Sequence, residues 1–450
     1  MRPHFKWLAP GMNLKRWLLL FALGVLLFSL GLAIVFNYQY IGMLENAIFL
    51  WVYRLTGQYL STGMILVGMG IVTAGVVTMA YATRKLILSI ISVLLPEGSN
   101  GLINLIYEKR RLNRGPAVVV LGGGTGLSVL LRGIKKTTDN ITAIVTVGDD
   151  GGSSGRIRSD LGMIPPGDLR RCLVALADTE PMMEKLFEHR FGGNGGLAGH
   201  NFGNLFIAAM NEVQGDVELA LQASSKVLAV RGQVLPATTE AIRLSATMCD
   251  GSVIEGESNI PLCGKCIDHV GILPEDVLPV PSAVAAIREA DACILGPGSL
   301  YTSVLPNLLV RGIADELRRT KAVKIYICNV MTQPGETDGY SASRHVKAIL
   351  DHVGPGVIDY VVVNAQTVAP VLRDRYATQG AVPVEADIEA IEALGVRAVK
   401  ANIINETDLV RHDPERLSHT IMDMVVKLGG KSERVRLLDY YLQEEEGRQR

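Results

Sequence analysis

Two segments carry most of the chemistry this chain could do. The first, VVVLGGGTGL from Val118 to Leu127, sets Gly122, Gly123, Gly124, Thr125 and Gly126 between an apolar run and an amphipathic one. A strand that turns through small residues into a helix exposes backbone N–H groups beside the positive helix end, a geometry that holds phosphate. A tight turn with no ligand is the simpler alternative, but it needs fewer small residues. No Gly-Lys-Ser/Thr follows, so this is not a Walker loop. A GxGxxG frame counted from Gly122 puts Leu127 at its third glycine, a poor dinucleotide fingerprint.

The second segment is TVGDDGGSSGRIRSDLGMIPPGDLRRCL, from Thr146 to Leu173. Asp149 and Asp150 end an apolar run, where a doubly wound sheet presents acids to a ribose or a metal. Gly152, Ser153, Ser154, Gly155 and Arg156 add backbone donors, two hydroxyls and a guanidinium suited to phosphate. Asp-Gly also favours turns, the plainer role for the two acids. Asp168 reads equally as a helix N-cap and as a ligand.

Three further loops fit the same crevice. LAGHNFGNL supplies His200, Asn201 and Asn204, with Asn201 also a candidate cap. LGPGSLYTS supplies Gly296, Gly298 and Ser299. CNVMTQPGET supplies Asn329 and Thr332. Loops at the ends of several parallel strands converge on one crevice.

The elements that must position these loops follow from the texture after residue 115. Apolar runs at Ala117–Leu121, Ile141–Val147, Ala292–Leu295, Val323–Cys328 and Tyr360–Asn364 alternate with amphipathic segments. The latter include Leu127–Lys135, Leu169–Leu176, Asn204–Glu212, Asp216–Leu228 and Pro414–Leu428. The expected fold is α/β and Rossmann-like, a mainly parallel sheet with helices on both faces. Thr238–Pro279 breaks the rhythm and reads as a β-ribbon or small subdomain. Its Cys263 and Cys266, with His269 nearby, lack the further ligands zinc requires, and a surface turn with two coincidental thiols is expected.

The first hundred residues differ. Trp17–Phe36 is uncharged and long enough to span a bilayer, and a second apolar stretch covers about 60–81. Arg2, Lys6, Lys15 and Arg16 precede the first. Arg84, Lys85, Lys109, Arg110, Arg111 and Arg114 follow the second. The positive-inside rule then places both termini and the main domain in the cytoplasm. A cleaved signal peptide or a buried hairpin are the alternatives. Trp17, Tyr38, Tyr40, Trp51, Tyr53 and Tyr59 lie where interfacial aromatics belong. Gly63, Gly68, Gly70 and Gly75 would permit close helix approach. Leu86–Leu95 either extends the second helix or lies in the interface. The expected organisation is a two-span membrane region (1–95), a linker (96–115), a ligand-binding domain (116–430) and a charged tail (431–450).

With a formal net charge of -1, nothing argues for a nucleic-acid surface, and six scattered cysteines suit a reducing compartment.

The strings VVVLGGGTGLSVLLRGIK, TVGDDGGSSGRIRSDLGMIPPGDLRRCLVALA, GHNFGNL, GPGSLYTSVLPNLLV and NVMTQPGETDGYSA together resemble the YvcK (GlmR) family of gluconeogenesis factors, within the CofD-like superfamily. The resemblance covers roughly 116–428. It implies a Rossmann-like fold, a UDP-sugar ligand, typically UDP-N-acetylglucosamine, and regulation linking carbon flow to cell-wall precursors and cell shape. It implies glucosamine-6-phosphate synthase as one partner and no required cofactor, with Mg²⁺ possible. The membrane, other envelope-precursor enzymes and a second copy of the chain complete the expected partners. The related CofD enzymes transfer a phospholactyl-type group with a divalent metal, and for them the resemblance would make Asp149 and Asp150 metal ligands. This sequence departs from the pattern around Cys263–Cys266 and at Arg344, where an acid is expected.

Overall fold

The computed structural model describes residues 15–35, 61–94 and 111–442, except 179–180, 407–409, 430–431, 437 and 440–441, together with 42, 46, 50, 51, 53, 54 and 109. Arg2, Lys6, Tyr38, Tyr40, Tyr59, most of the expected linker and residues 443–450 lie outside the described residues. The chain divides into two compact units, Met1–Lys109 and Arg110–Arg450.

In the first unit, helix Lys15–Val35 packs on helix Ser61–Leu94. The pair is antiparallel. Trp17 meets Tyr81 edge-on with ring centroids 6.0 Å apart, and the Lys85 ammonium lies 5.9 Å and 5.8 Å from the two rings. Gly24, Gly31, Gly68 and Gly75 are buried. A Cβ on Gly75 would come within 2.7 Å of the Phe28 backbone nitrogen, so only glycine permits this approach. Gly70 instead faces open space, and the side of Gly63 lies outside the description. The second helix does not stop at Tyr81; it continues without a break to Leu94. Its segment Leu66–Ile87 is long and apolar enough to cross a membrane, whereas the apolar stretch Leu19–Leu32 of the first helix is shorter.

The described residues of the second unit form twelve strands: β1 (Val118–Gly122), β2 (Ile141–Val145), β3 (Gln233–Pro236), β4 (Arg243–Met248), β5 (Val253–Glu255), β6 (Ile267–Leu273), β7 (Ala292–Leu295), β8 (Val323–Ile327), β9 (Tyr360–Asn364), β10 (Arg397–Ala401), β11 (Ile404–Glu406) and β12 (Val410–His412). Seven form one sheet in the order β10-β9-β8-β7-β1-β2-β3, with every pairing parallel. Strands β1, β2, β7 and β8 are buried along their whole length, which explains their unbroken apolar runs. The chain moves outward from β1 to β3, then crosses back to β7 on the other side of β1. The strand order therefore reverses between β1 and β7, and a crevice opens there at the carboxyl ends.

The interruption at Thr238–Pro279 is an antiparallel three-stranded sheet, β5-β4-β6, inserted between β3 and β7. Strands β11 and β12 form a separate hairpin before helix Pro414–Leu428. Gly152–Arg156, expected to supply phosphate donors, forms the start of helix Gly152–Leu161.

Candidate functional site

The loop after β1 enters helix Gly124–Ile134 directly, with Gly123 as N-cap and no side-chain cap. Gly124 has φ +67°, a conformation that favours glycine. A Cβ on Gly123 would meet Asp168 Oδ2 at 2.6 Å, and one on Gly126 would meet the Pro297 carbonyl oxygen at 2.6 Å. The loops after β1 and β7 thus touch backbone to backbone, and any side chain at Gly126 would part them.

Between them lies a cleft of about 560 Å³. It is lined by Gly123, Gly124, Thr125, Gly126, Asp149, Asp168, Gly298, Ser299 and Asn329 from the sequence expectation. Arg171, Glu257, Ser303, Gln333, Tyr376, Arg411 and His412 join them, and sequence reasoning missed these. They come from segments far apart in the chain. No local pattern marks Glu257, Tyr376 or Arg411.

Asp168 is not the helix cap. The N-cap of helix Gly167–Leu176 is Pro166, without a side-chain bond. Asp168 Oδ2 instead accepts from the Gly124 N–H at 2.6 Å, and its Oδ1 pairs with Arg171 at 3.0 Å. Burial raises its pKa, opposed by Arg171. Its work is to fix the first glycine loop.

The two acids after β2 have separate roles. Asp149 Oδ1 accepts from the Gly151 N–H at 2.9 Å, closing a turn, and the residue lines the cleft. Asp150 Oδ1 accepts from the Ser258 N–H at 3.0 Å and from the Ser258 hydroxyl. Gly256 beside it has φ +97°, and a Cβ there would meet Asp150 Oδ2 at 2.5 Å. Asp150 therefore fastens the inserted sheet, and that fastening carries Glu257 to the cleft. Burial, with Asp149, Asp168, Asp150 and Glu336 around it, pushes the Glu257 carboxyl up to about 9. At neutral pH it is protonated and a hydrogen-bond donor. Burial likewise holds His412 neutral, its pKa lowered to about 4.

The remaining expected residues do not line this cleft. Ser153 Oγ accepts from the Asn201 N–H and the Asn204 side-chain amide, both at 3.2 Å, and lies 3.3 Å from His200 Nδ1. Asn201 caps helix Phe202–Gln214, and Asn204 Oδ1 accepts from Arg170 at 3.0 Å. This buried network joins three helices, Gly152–Leu161, Gly167–Leu176 and Phe202–Gln214. Ser154 and Gly155 are buried near the start of their helix, where a Cβ on Gly155 would meet the Asp150 carbonyl at 2.0 Å. Gly152, with φ +50°, opens it. Arg156 donates to the Ala198 carbonyl at 2.9 Å. The carbonyl of Gly122 accepts from Thr146 and Asn307, Gly296 turns the chain out of β7 with φ +77°, and Thr332 accepts from the Val382 N–H. Cys266 is bonded to Cys249 rather than idle beside Cys263. His269 stacks on His352 with ring centroids 4.1 Å apart. Arg344 lies over the Tyr340 ring at 4.7 Å. Among the described residues no group of three or more His, Cys, Asp or Glu side chains is arranged to hold a metal ion.

A Rossmann-like domain with glycine loops at its switch point defines the class, and residues 118–404 match the family model described as 2-phospho-L-lactate transferase CofD. The chain belongs to this CofD-like family, among its gluconeogenesis factors. The gluconeogenesis factor of Bacillus subtilis is 49% identical over 311 residues, 69% of this chain and 98% of the relative. A relative from Nostoc sp., provisionally given the same name, is 48% identical over 424 residues, covering 93% of this chain and 92% of its own. The crystal structure of a UPF0052-family protein from Bacillus halodurans superposes with TM-score 0.67 at 50% identity, covering 68% of this chain and 99% of that one. The Bacillus proteins thus match about two thirds of the chain, while the Nostoc match, at 93%, extends into the first unit.

Proposed function

We propose that this protein binds a UDP-sugar, UDP-N-acetylglucosamine in the first instance, and acts as a membrane-tethered regulator linking carbon metabolism to cell-wall precursor supply and cell shape. One observation supports it above the rest. The loops after β1 and β7 meet at the switch point, edged by Arg171 and Arg411. Backbone donors of those loops would receive the diphosphate, and the guanidiniums would offset its charge. The cleft is also acidic, with Asp149, Asp168 and Glu257. Protonation of Glu257 removes one negative charge from the path of the diphosphate. Tyr376 offers an aromatic wall for the base, its hydroxyl fixed by the Val410 N–H at 3.2 Å.

A CofD-type transfer is the second reading, and no observation favours it. Asp149 and Asp150 do not present their carboxylates to one point, because Asp150 is committed to Ser258. Mg²⁺ would enter, if at all, with the diphosphate. Glucosamine-6-phosphate synthase or another envelope-precursor enzyme is the proposed partner, and a homo-oligomer the proposed assembly. The helical pair of the first unit would be the anchor, crossing twice with both termini and the ligand domain cytoplasmic. Calorimetric titration with UDP-N-acetylglucosamine, with and without Mg²⁺, tests the reading. Saturable binding without product formation supports the regulator. A nucleotide product on adding an acceptor would favour the transferase.

A further inference from the structure

The inserted sheet carries a second piece of chemistry. Cys249 and Cys266 are joined in a disulfide, with Cα atoms 5.5 Å apart and a sequence separation of 17. Both residues are exposed. Cys172, Cys293 and Cys328 are buried, and Cys263 is half-buried. The covalent ring closed by this bond contains β5 and then Gly256, Glu257 and Ser258, of which Glu257 lines the cleft and Ser258 is held by Asp150. Two other contacts hold its ends. The Cys249 N–H donates to the Cys266 carbonyl at 2.9 Å, and the Lys265 ammonium meets Asp250 at 2.6 Å. These noncovalent contacts keep the two cysteines close enough for the bond to re-form, but they restrain the arm less than the covalent bond does. An exposed disulfide is within reach of an attacking thiolate.

We propose that Cys249 and Cys266 form a thiol–disulfide exchange site that sets the rigidity of the Glu257 arm, and through it the affinity of the cleft. This rests on the UDP-sugar reading of that cleft. The co-reactant is a dithiol reductant in one direction and a small disulfide, such as oxidised glutathione, in the other. In reduction, one thiolate of the dithiol attacks Sγ of either cysteine. The S–S bond breaks, and the other sulfur leaves as a thiolate and takes up a proton. The second thiol of the dithiol then attacks the mixed disulfide and releases the second protein thiol. Two electrons pass to the protein, and the dithiol ends as a disulfide. The open ring gains conformational freedom that ligand binding must remove again, so reduction weakens binding. Cys263 lies inside the ring but outside the bond.

The full-length protein in detergent, treated with dithiothreitol or with oxidised glutathione, provides the test. Alkylation and mass spectrometry count free thiols, hydrogen exchange follows residues 253–260, and calorimetry measures UDP-N-acetylglucosamine affinity. The oxidised protein is expected to bind roughly three- to ten-fold more tightly, the scale of a preorganised loop, and to exchange more slowly over 253–260. Cys249→Ser should match the reduced form in both buffers, and Cys263→Ser should match the wild type. Unchanged exchange and affinity between the two states overturn the proposal, as does full alkylation of Cys249 and Cys266 after oxidation. Redox-dependent exchange with no binding in either state supports control of the arm and contradicts the UDP-sugar reading instead.

Discussion

Gly126 illustrates how a single residue decides this site. The Pro297 carbonyl carbon would lie 2.8 Å from a Cβ there, and the Gly298 nitrogen 3.1 Å, so backbone would have to yield. Gly126→Val should cost about 1–3 kcal/mol of stability, the usual range for overpacking, and remove ligand binding. Denaturant unfolding and calorimetry read the two effects separately. Glu257 makes a pH prediction. Its carboxyl is pushed up to about 9 in the fold from the ordinary 4.5 of the unfolded chain, so between those values the native state binds more protons than the unfolded chain. Stability from this group therefore falls as pH rises from about 4.5 to about 9. Glu257→Gln should raise the thermal midpoint, by more at pH 8.5 than at pH 5. A gain independent of pH would contradict the assignment. The glycine loops were legible because small residues after an apolar run are a local signal. Asn201 was legible as a helix cap, but Ser153 and Asn204 were not, since a polar group beside a glycine loop reads the same whether a ligand or a neighbouring helix satisfies it.

At the scale of elements, the inserted sheet β5-β4-β6 is an arm fastened at Asp150. Asp150→Ala leaves the Ser258 N–H without its acceptor and should cost about 1–2 kcal/mol. Hydrogen exchange around 256–259 should rise with it, and ligand affinity should fall although Asp150 does not line the cleft. An unchanged exchange pattern would mean the arm is held by packing alone. In the first unit, Gly75→Leu should separate the helices Lys15–Val35 and Ser61–Leu94, read as lost energy transfer between probes placed on the two helices. Strands β1, β2, β7, β8 and β9 were visible as apolar runs. Strand β3, QVLP, starts on glutamine and ends in proline, which leaves an apolar run of only Val234 and Leu235, and the half-exposed β10, RAVKA, lacks an unbroken apolar face. The helix at Gly152 was masked by its own glycines and serines, which read as loop.

For the molecule as a whole, the doubly wound order places one crevice between β1 and β7, and four loops plus the arm and the β11–β12 hairpin supply its walls. The crystal structure of the Bacillus halodurans relative is covered over 99% of its own length by 68% of this chain, so about two thirds of the chain corresponds to a complete folded protein. The relative from Nostoc, matched over 93% of this chain, carries the alignment into the helical pair. The chain divides into two compact units, and on the proposed function a fragment from Arg110 onward should bind UDP-N-acetylglucosamine as the full chain does.

The most direct measurement is calorimetric titration of the 110–450 fragment with UDP-N-acetylglucosamine, beside Arg411→Ala and Gly126→Val. The account predicts saturable one-to-one binding, weakened at least ten-fold by Arg411→Ala, the cost of about 1.4 kcal/mol of lost charge pairing, and absent in Gly126→Val. Undetectable binding by the unmodified fragment, or binding indifferent to both substitutions, would contradict the central claim that the β1–β7 crevice holds the nucleotide sugar.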